Sequence, residues 1–335
     1  MKFYEINITP TSPFGTLLKG DTIFGHFCWQ AAHDPDLLAG GLDTRIQHYT
    51  ESPFAVFSSA FPKIENGSVR YFLPRPEAVM MDRNLIGATT RKTRLLEGKK
   101  LKKKRWMALE RIDVIEPSAV EFLTAKELVS RIGGKGVHGV GTNDAVYAME
   151  QAHNTIDRRT GTTGTGMFAP YSTENQFYLP GIGLAVFALL DEEITDIQKI
   201  CKGLKRIGRW GFGRDASTGM GRFYVNGHTE HPLPRLEGAN ACYTLAPAVP
   251  QKDTFSHSFY MPFIRFGKHG DRLATGKAPY KRPVVMADEG AVFIPAAANA
   301  FTTPWLGIGI TGVSCADSRT VAQGYAPWLP IKMEV

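Results

Sequence analysis

A chain of 335 residues with 43% hydrophobic content is long enough to bury two cores, which excludes a disordered, collagen-like or single-motif protein. Its net charge of +7 is unevenly spread: residues 87–111 hold ten basic residues against two acidic ones, a local +8 that leaves the remainder about neutral. Such a concentration points to a polyanion groove rather than to general solubility.

Residues 1–8 alternate polar and apolar positions as a strand does, and nothing there resembles a signal peptide. No apolar stretch approaches the length of a membrane span, so a cytoplasmic location without a membrane partner is expected. Pro10, Pro13 and Gly15 then force a loop. From Thr22 the residues Ile23, Phe24, Phe27, Cys28 and Ala31 fall on one helical face, with Asp21 as N-cap. Residues 54–57 and 69–73, separated by Glu65-Asn66-Gly67, read as a hairpin or two short strands. Between 77 and 171 regular patterning weakens while glycine and basic residues rise, which marks an insertion with structure of its own.

Order returns with residues 178–190 (YLPGIGLAVFALL), an apolar run suited to a central strand. The following helix, 195–209, opens with Thr195 and Gln198 at capping-box spacing and buries Ile197, Cys201, Leu204 and Ile207 along one stripe. Residues 208–223 (GRWGFGRDASTGMGRF) come next, then a strand to Val225. Residues 228–238 read as a linker. Short apolar runs at 241–249, 258–266, 282–286, 291–295 and 305–313 read as strands of a second unit. The four cysteines, Cys28, Cys201, Cys242 and Cys315, form no CxxC pair and read as reduced core residues.

The glycine-rich stretch carries the chemistry. Glycines at 208, 211, 213, 219 and 221 let backbone approach a ligand, and Arg209, Arg214 and Arg222 supply positive charge, so the loop reads as an anion cradle. Gly211, Gly213, Gly219 and Gly221 would shape it, while Arg214, Ser217, Thr218 and Arg222 would contact phosphate or sugar. Asp215 would tie the loop together by accepting hydrogen bonds. A tight turn with solvent-facing arginines is the bland alternative. A dinucleotide fingerprint or P-loop must follow a strand and open a helix; here a helix precedes and a strand follows, which argues against nucleotide-binding enzymes.

The basic run at 99–106 (KKLKKKRW), with Lys102, Lys103, Lys104 and Arg105 at its centre, reads as a solvated charge run or an RNA contact, with Trp106 as stacking partner or core. Lys19, Asp21 and Thr22 stand at the start of the first helix, whose N-terminus favours phosphate. Arg158 and Arg159 read, from the residues alone, as members of salt bridges, for instance Arg158 with Asp157 or Glu174. His228 and His231 have HxxH spacing, but no further ligand clusters with them, and no metal or cofactor is expected.

The wording from Gly211 to Phe223, placed between a helix and a strand, resembles the glycine loop of the RAMP proteins of CRISPR effector complexes. Residues 20–29 (GDTIFGHFCW), 154–163 (NTIDRRTGTT) and 324–331 (GYAPWLPI) resemble one branch, the fourth subunit of the type III-A Csm complex. These motifs span nearly the whole chain. The resemblance, with the β-α-β, insertion, β-α-loop-β order, implies an α+β protein of two ferredoxin-like or RRM-type domains. The first would be 1–228, with the insertion at 77–171 and the glycine loop at 208–223; the second, degenerate one would be 238–335. A β-hairpin thumb would lie at 123–151, near the guide and target RNA, with Arg158 and Arg159 after it, where the family pattern has a basic residue that helps hold the RNA backbone.

The function so implied is non-catalytic: an antiviral ribonucleoprotein subunit that holds the 5′ tag of the crRNA and binds both the large polymerase-like subunit and the backbone RAMP subunit. The alternative is a metal-independent crRNA-processing endoribonuclease. Some RAMP proteins use a histidine near the first helix for that chemistry, and His26 and His33 stand at about that place.

Overall fold

The computed structural model describes residues 1–66, 68–77, 99–100, 102–115, 120–132, 144–235, 237–297 and 302–333. Two sheets form an α+β architecture with helices between and beside them. The first has seven antiparallel strands in the order β5-β4-β3-β2-β8-β1-β9. These are β1 (Lys2–Pro10), β2 (Ala55–Asn66), β3 (Ser68–Pro74), β4 (Lys104–Leu109), β5 (Glu121–Thr124), β8 (Gly183–Leu190) and β9 (Phe223–His231). Helix α1 (Gly20–His33) follows β1, and helix α4 (Ile197–Trp210) follows β8. Between them in sequence lie α2 (Gly41–Gln47), α3 (Ala125–Ile132) and a separate ribbon of β6 (Val146–His153) and β7 (Tyr171–Tyr178).

Residues 241–331 build the second sheet, of order β11-β14-β10-β16-β15, again antiparallel throughout. Its strands are β10 (Ala241–Thr244), β11 (Phe255–Phe259), β14 (Val292–Pro295), β15 (Trp305–Ile310) and β16 (Ala322–Ile331). A second ribbon pairs β12 (Pro262–Arg265) with β13 (Val284–Ala287). Helix α1 packs on both β2 and β16, and one continuous core joins the two sheets. Phe24 and Phe27 of α1 are fully buried there, each contributing roughly 2–3 kcal/mol.

The sequence and the structure part at identifiable places. The apolar run 178–190 is not one strand, because Pro180 and Gly181 break it; Ile182 N–H closes the turn on Leu179 C=O at 3.1 Å. Asp196, not Thr195, caps α4, accepting Lys199 N–H at 2.9 Å, while the Thr195 hydroxyl donates to Leu37 C=O. Strand β9 runs to His231, so the linker expected from 228 begins later. The two-stranded ribbon spans Val146 to Tyr178, while the span 123–151 takes in the end of β5, helix α3 and most of β6. Residues 133–143, inside that span, lie outside the described residues, as do Arg91, Lys92 and Arg94 of the basic region. No α-helix occurs among the described residues beyond Ala241, so the helices of a second ferredoxin-like unit have no counterpart there. Cys201 and Cys242 are buried as expected, whereas Cys315 is exposed.

On the sheet face away from α1 and α4, Glu5 is buried and bonded to Lys63 Nζ at 2.5 Å, Tyr71 OH at 2.7 Å and His231 Nε2 at 2.8 Å. Burial works to raise the Glu5 carboxyl pKa, but those three bonds outweigh it and hold the group below the usual carboxylate range. His231 thereby serves the core of the sheet rather than an HxxH metal site.

Candidate nucleic-acid interface

The glycine loop joins α4 to edge strand β9 and folds back on the loop that precedes α1. Gly221 N–H donates to Pro13 C=O at 2.7 Å, Arg222 N–H to Ser12 Oγ at 2.8 Å, and Arg214 N–H to Thr16 Oγ1 at 3.1 Å. The ribbon β6–β7 completes the site, since the Arg214 guanidinium donates to Glu174 C=O and to Asn175 Oδ1. Phe14 fastens all three pieces, with its ring 5.3 Å from Tyr178 and 6.3 Å from Phe212.

This packing accounts for glycines that the sequence alone assigns to a ligand. Gly221 adopts φ +72°, and a Cβ there would stand 2.1 Å from Phe212 O; at Gly213, φ +74°, a Cβ would stand 2.6 Å from Thr16 Cβ. Gly211 is buried. The arginines and hydroxyls are arranged differently. Arg222, Ser217 and Thr218 are exposed, and Arg214 is exposed at the loop tip despite its bonds to the ribbon. Asp215 holds the turn: its carbonyl accepts Thr218 N–H at 3.0 Å and Met220 N–H at 3.2 Å, and its carboxylate pairs with Arg214 Nε at 3.1 Å. Arg209 and Trp210, the latter 71% exposed, extend the cationic and aromatic surface along the end of α4.

Lys19 and Asp21 require a correction. Both are buried, Lys19 as the residue that precedes α1 and Asp21 in its first turn, where it does not cap. Lys19 Nζ is bonded to Asp288 at 2.5 Å and Glu289 at 2.7 Å, while Asp21 accepts Arg265 Nε at 2.6 Å and a second guanidinium bond at 2.8 Å. Their charges are spent on joining α1 to the second half of the chain rather than on an open phosphate site. Thr22 is half-buried. Burial drives the Glu289 carboxyl up to about 7 although Lys19 opposes the shift.

His26 acts on the loop from beneath. Its Nε2 accepts Gly213 N–H, and burial, with the Lys281 charge nearby, depresses its pKa to about 4. His33 instead pairs at the surface with Asp271. No sequence pattern pairs position 26 with position 213, so the buttressing role of His26 was unreadable beforehand, as were those of Ser12, Thr16 and Asn175.

Arg158 and Arg159 are exposed in the segment joining β6 to β7, and Arg159 N–H donates to Asp157 Oδ1 at 2.9 Å. The ion pair there is Arg159 with Asp157 at 3.8 Å. Lys99, Lys100, Lys102, Lys103 and Arg105 are exposed at the opposite side of the first sheet, with Lys104 half-buried. Trp106 is half-buried and packs against the core. Five strand steps separate β4 from β9, so the basic run and the glycine loop belong to strands whose axes lie about 24 Å apart across the sheet.

The fold so described is similar to that of Csm4 in solved Csm1–Csm4 and Csm3–Csm4 structures. The chain aligns over its full length with 99% of a chain from a crystal structure of the Csm1–Csm4 cassette in complex with pppApA, at TM-score 0.54 and 16% identity. A Csm1–Csm4 cassette in complex with cA4 gives TM-score 0.55, 16% identity and 100% of both chains. A Csm3–Csm4 subcomplex of a type III-A interference complex gives TM-score 0.53 and 15% identity over 98% of this chain and 99% of that one. At such identity the shared property is the fold. No family model matches the chain, and no curated protein matches it.

Proposed function

We propose that this chain is a non-catalytic crRNA-binding subunit of a type III CRISPR effector complex, seated at the 5′-tag end of the guide and contacting a large subunit and a backbone RAMP subunit. The observation that carries the reading is the convergence of the pre-α1 loop, the glycine loop and the β6–β7 ribbon into one exposed, arginine-bearing surface. Its supports are the full-length likeness to Csm4 chains and a second basic surface five strands away on the same sheet, which suits an extended polyanion. In this reading β2-β8-β1-β9 with α1 and α4 is a ferredoxin-like unit, and β6–β7 is the thumb that reaches toward guide and target RNA. The residues that meet RNA are Arg214, Ser217, Thr218, Arg222, Arg158, Arg159, Lys102, Lys103 and Arg105.

The engagement of His26 by Gly213 favours a binding role over an endoribonuclease, because its acceptor nitrogen is already occupied. Nuclease and signalling chemistry then belong to partner subunits, and the complex works in the cytoplasm. The test is purification of the chain from its native host. A short RNA with a uniform 5′ end should travel with it, together with a larger subunit. An RNA-free, solitary chain would overturn the reading.

A further inference from the structure

A second concentration of positive charge lies far from the first. Residues 262–287, which form β12, β13 and the segment between them, hold six basic residues against one acidic residue, a net +5. The two faces of this ribbon differ. On the inner face, the Phe263 ring lies 4.6 Å from Lys19 Nζ and 4.7 Å from the Arg265 guanidinium, and Arg265 is held by Asp21. The one acid, Asp271, is turned to His33.

The outer face follows from the register. Ile264 stands opposite Val285, and Lys268 opposite Tyr280, so each pair shares a side; strand alternation puts Phe266 with them. Phe266 is 76% exposed and Tyr280 71%, values far above those of rings that serve a core. Lys268 Nζ lies 5.7 Å from the Tyr280 ring centroid, and Arg272, Lys277 and Arg282 of the same segment are exposed.

The chemistry discriminates between partners. Protein interfaces deplete lysine at their centres, and a protein surface offering apolar pockets would leave this density of cations unneutralised. Single-stranded nucleic acid supplies flat apolar bases and regularly spaced phosphates together. We propose that the outer face of the β12–β13 ribbon is a single-stranded RNA contact, with unpaired bases stacked on Phe266 and Tyr280 and with Lys268, Lys277 and Arg282 set against the neighbouring phosphates. It deepens the proposed RNA-binding role and rests on it, and it is distinct from the glycine loop in reading base faces rather than the backbone.

The test is fluorescence anisotropy on the full chain with a short labelled oligouridylate and a strand of equal length carrying abasic sites. The parent should bind oligouridylate more tightly. Phe266→Ala with Tyr280→Ala should lose about tenfold affinity per ring and bind both strands alike. Phe266→Leu with Tyr280→Leu keeps apolar bulk, and with it the fold, and should show the same loss of preference. A leucine pair that binds like the parent overturns the inference alone, and lost co-purification of a protein subunit with unchanged RNA binding does so in favour of a docking face. A parent that binds neither strand overturns the RNA-binding role as well.

Discussion

His26 Nε2 accepts the backbone N–H of Gly213 across 3.0 Å, and its ring stacks on Phe212 with centroids 4.6 Å apart. Only the neutral imidazole offers that acceptor, which places the ring proton on Nδ1. The first helix thereby sets the position of a loop that begins far along the chain.

Substituting His26→Phe keeps the stack and removes the acceptor, leaving Gly213 N–H without its partner. A loss of about 1–2 kcal/mol in urea unfolding and weaker RNA binding are expected, with crRNA length unchanged in cells. The pH dependence has a definite sign. The folded pKa, about 4, lies below the unfolded value, so the unfolded chain takes the proton first, and this contribution to stability is lost as pH falls from about 6.5 toward 4, by up to ~3 kcal/mol. The parent's advantage over the variant should therefore shrink in that window; a constant difference would show that His26 is not buried neutral.

Lys19→Met strands Asp288 and Glu289, and a loss of about 3 kcal/mol is expected above neutral pH. Glu289 has a folded pKa above its unfolded one, so the folded chain holds more protons between about 4.5 and 7, and stability from this group is recovered as pH falls. The deficit of the variant should accordingly narrow between about pH 8 and pH 5. Chemical denaturation at both pH values checks this, and equal deficits would mean that Glu289 does not respond.

Gly221→Ala and Gly219→Ala separate packing from ligand binding in the glycine loop. At Gly221 the added Cβ meets Phe212 O at 2.1 Å, whereas at Gly219, φ +100°, nothing lies within 4 Å. The first variant should lose more than about 3 kcal/mol or fail to fold, the second about 1–2 kcal/mol from backbone strain alone. Thermal unfolding ranks them. If Gly219→Ala also abolishes RNA binding while remaining folded, the RNA approaches the loop at that point.

Lys102, Lys103 and Arg105 lie across the sheet from Arg222, which leaves the two groups independent. Replacing the first three with alanine should reduce the slope of log affinity against log salt by about 2, and Arg222→Ala alone by about 0.7. Titrations at several salt concentrations read both. An unchanged slope for the triple variant would make the run a solvated surface.

Local pattern announced the elements whose partners are near or whose period is regular. The stripe Ile197, Cys201, Leu204 and Ile207 is buried along α4 as its spacing requires, and residues 2–10 form strand β1, although both of its faces are buried from Phe3 to Ile6. Distance in sequence hid the rest. Lys19 finds its acids 269 and 270 positions away, and Asp21 its arginine 244 away, so both looked free to meet a phosphate. Strand β16 was hidden by Pro327 and Pro330, which lack the N–H a central strand uses. Their carbonyls accept from Leu245 and Ile115 instead. The exposed rings of β12–β13 were unreadable for another reason: alternation tells which residues share a face, not which face is covered.

Strand β16 also sets the order in which the molecule can be finished. It lies between β10 and β15, yet β10 ends at Thr244 and β16 begins only at Ala322. A ribosome adding roughly 5–20 residues per second takes about 4–16 s to cover that gap. Throughout it, β10 presents the edge that β16 will later pair, and α1 lacks its contacts with β16. The nascent chain thus carries this unfinished edge for several seconds, and any subunit that recognises the completed second sheet can join only once β16 has been made.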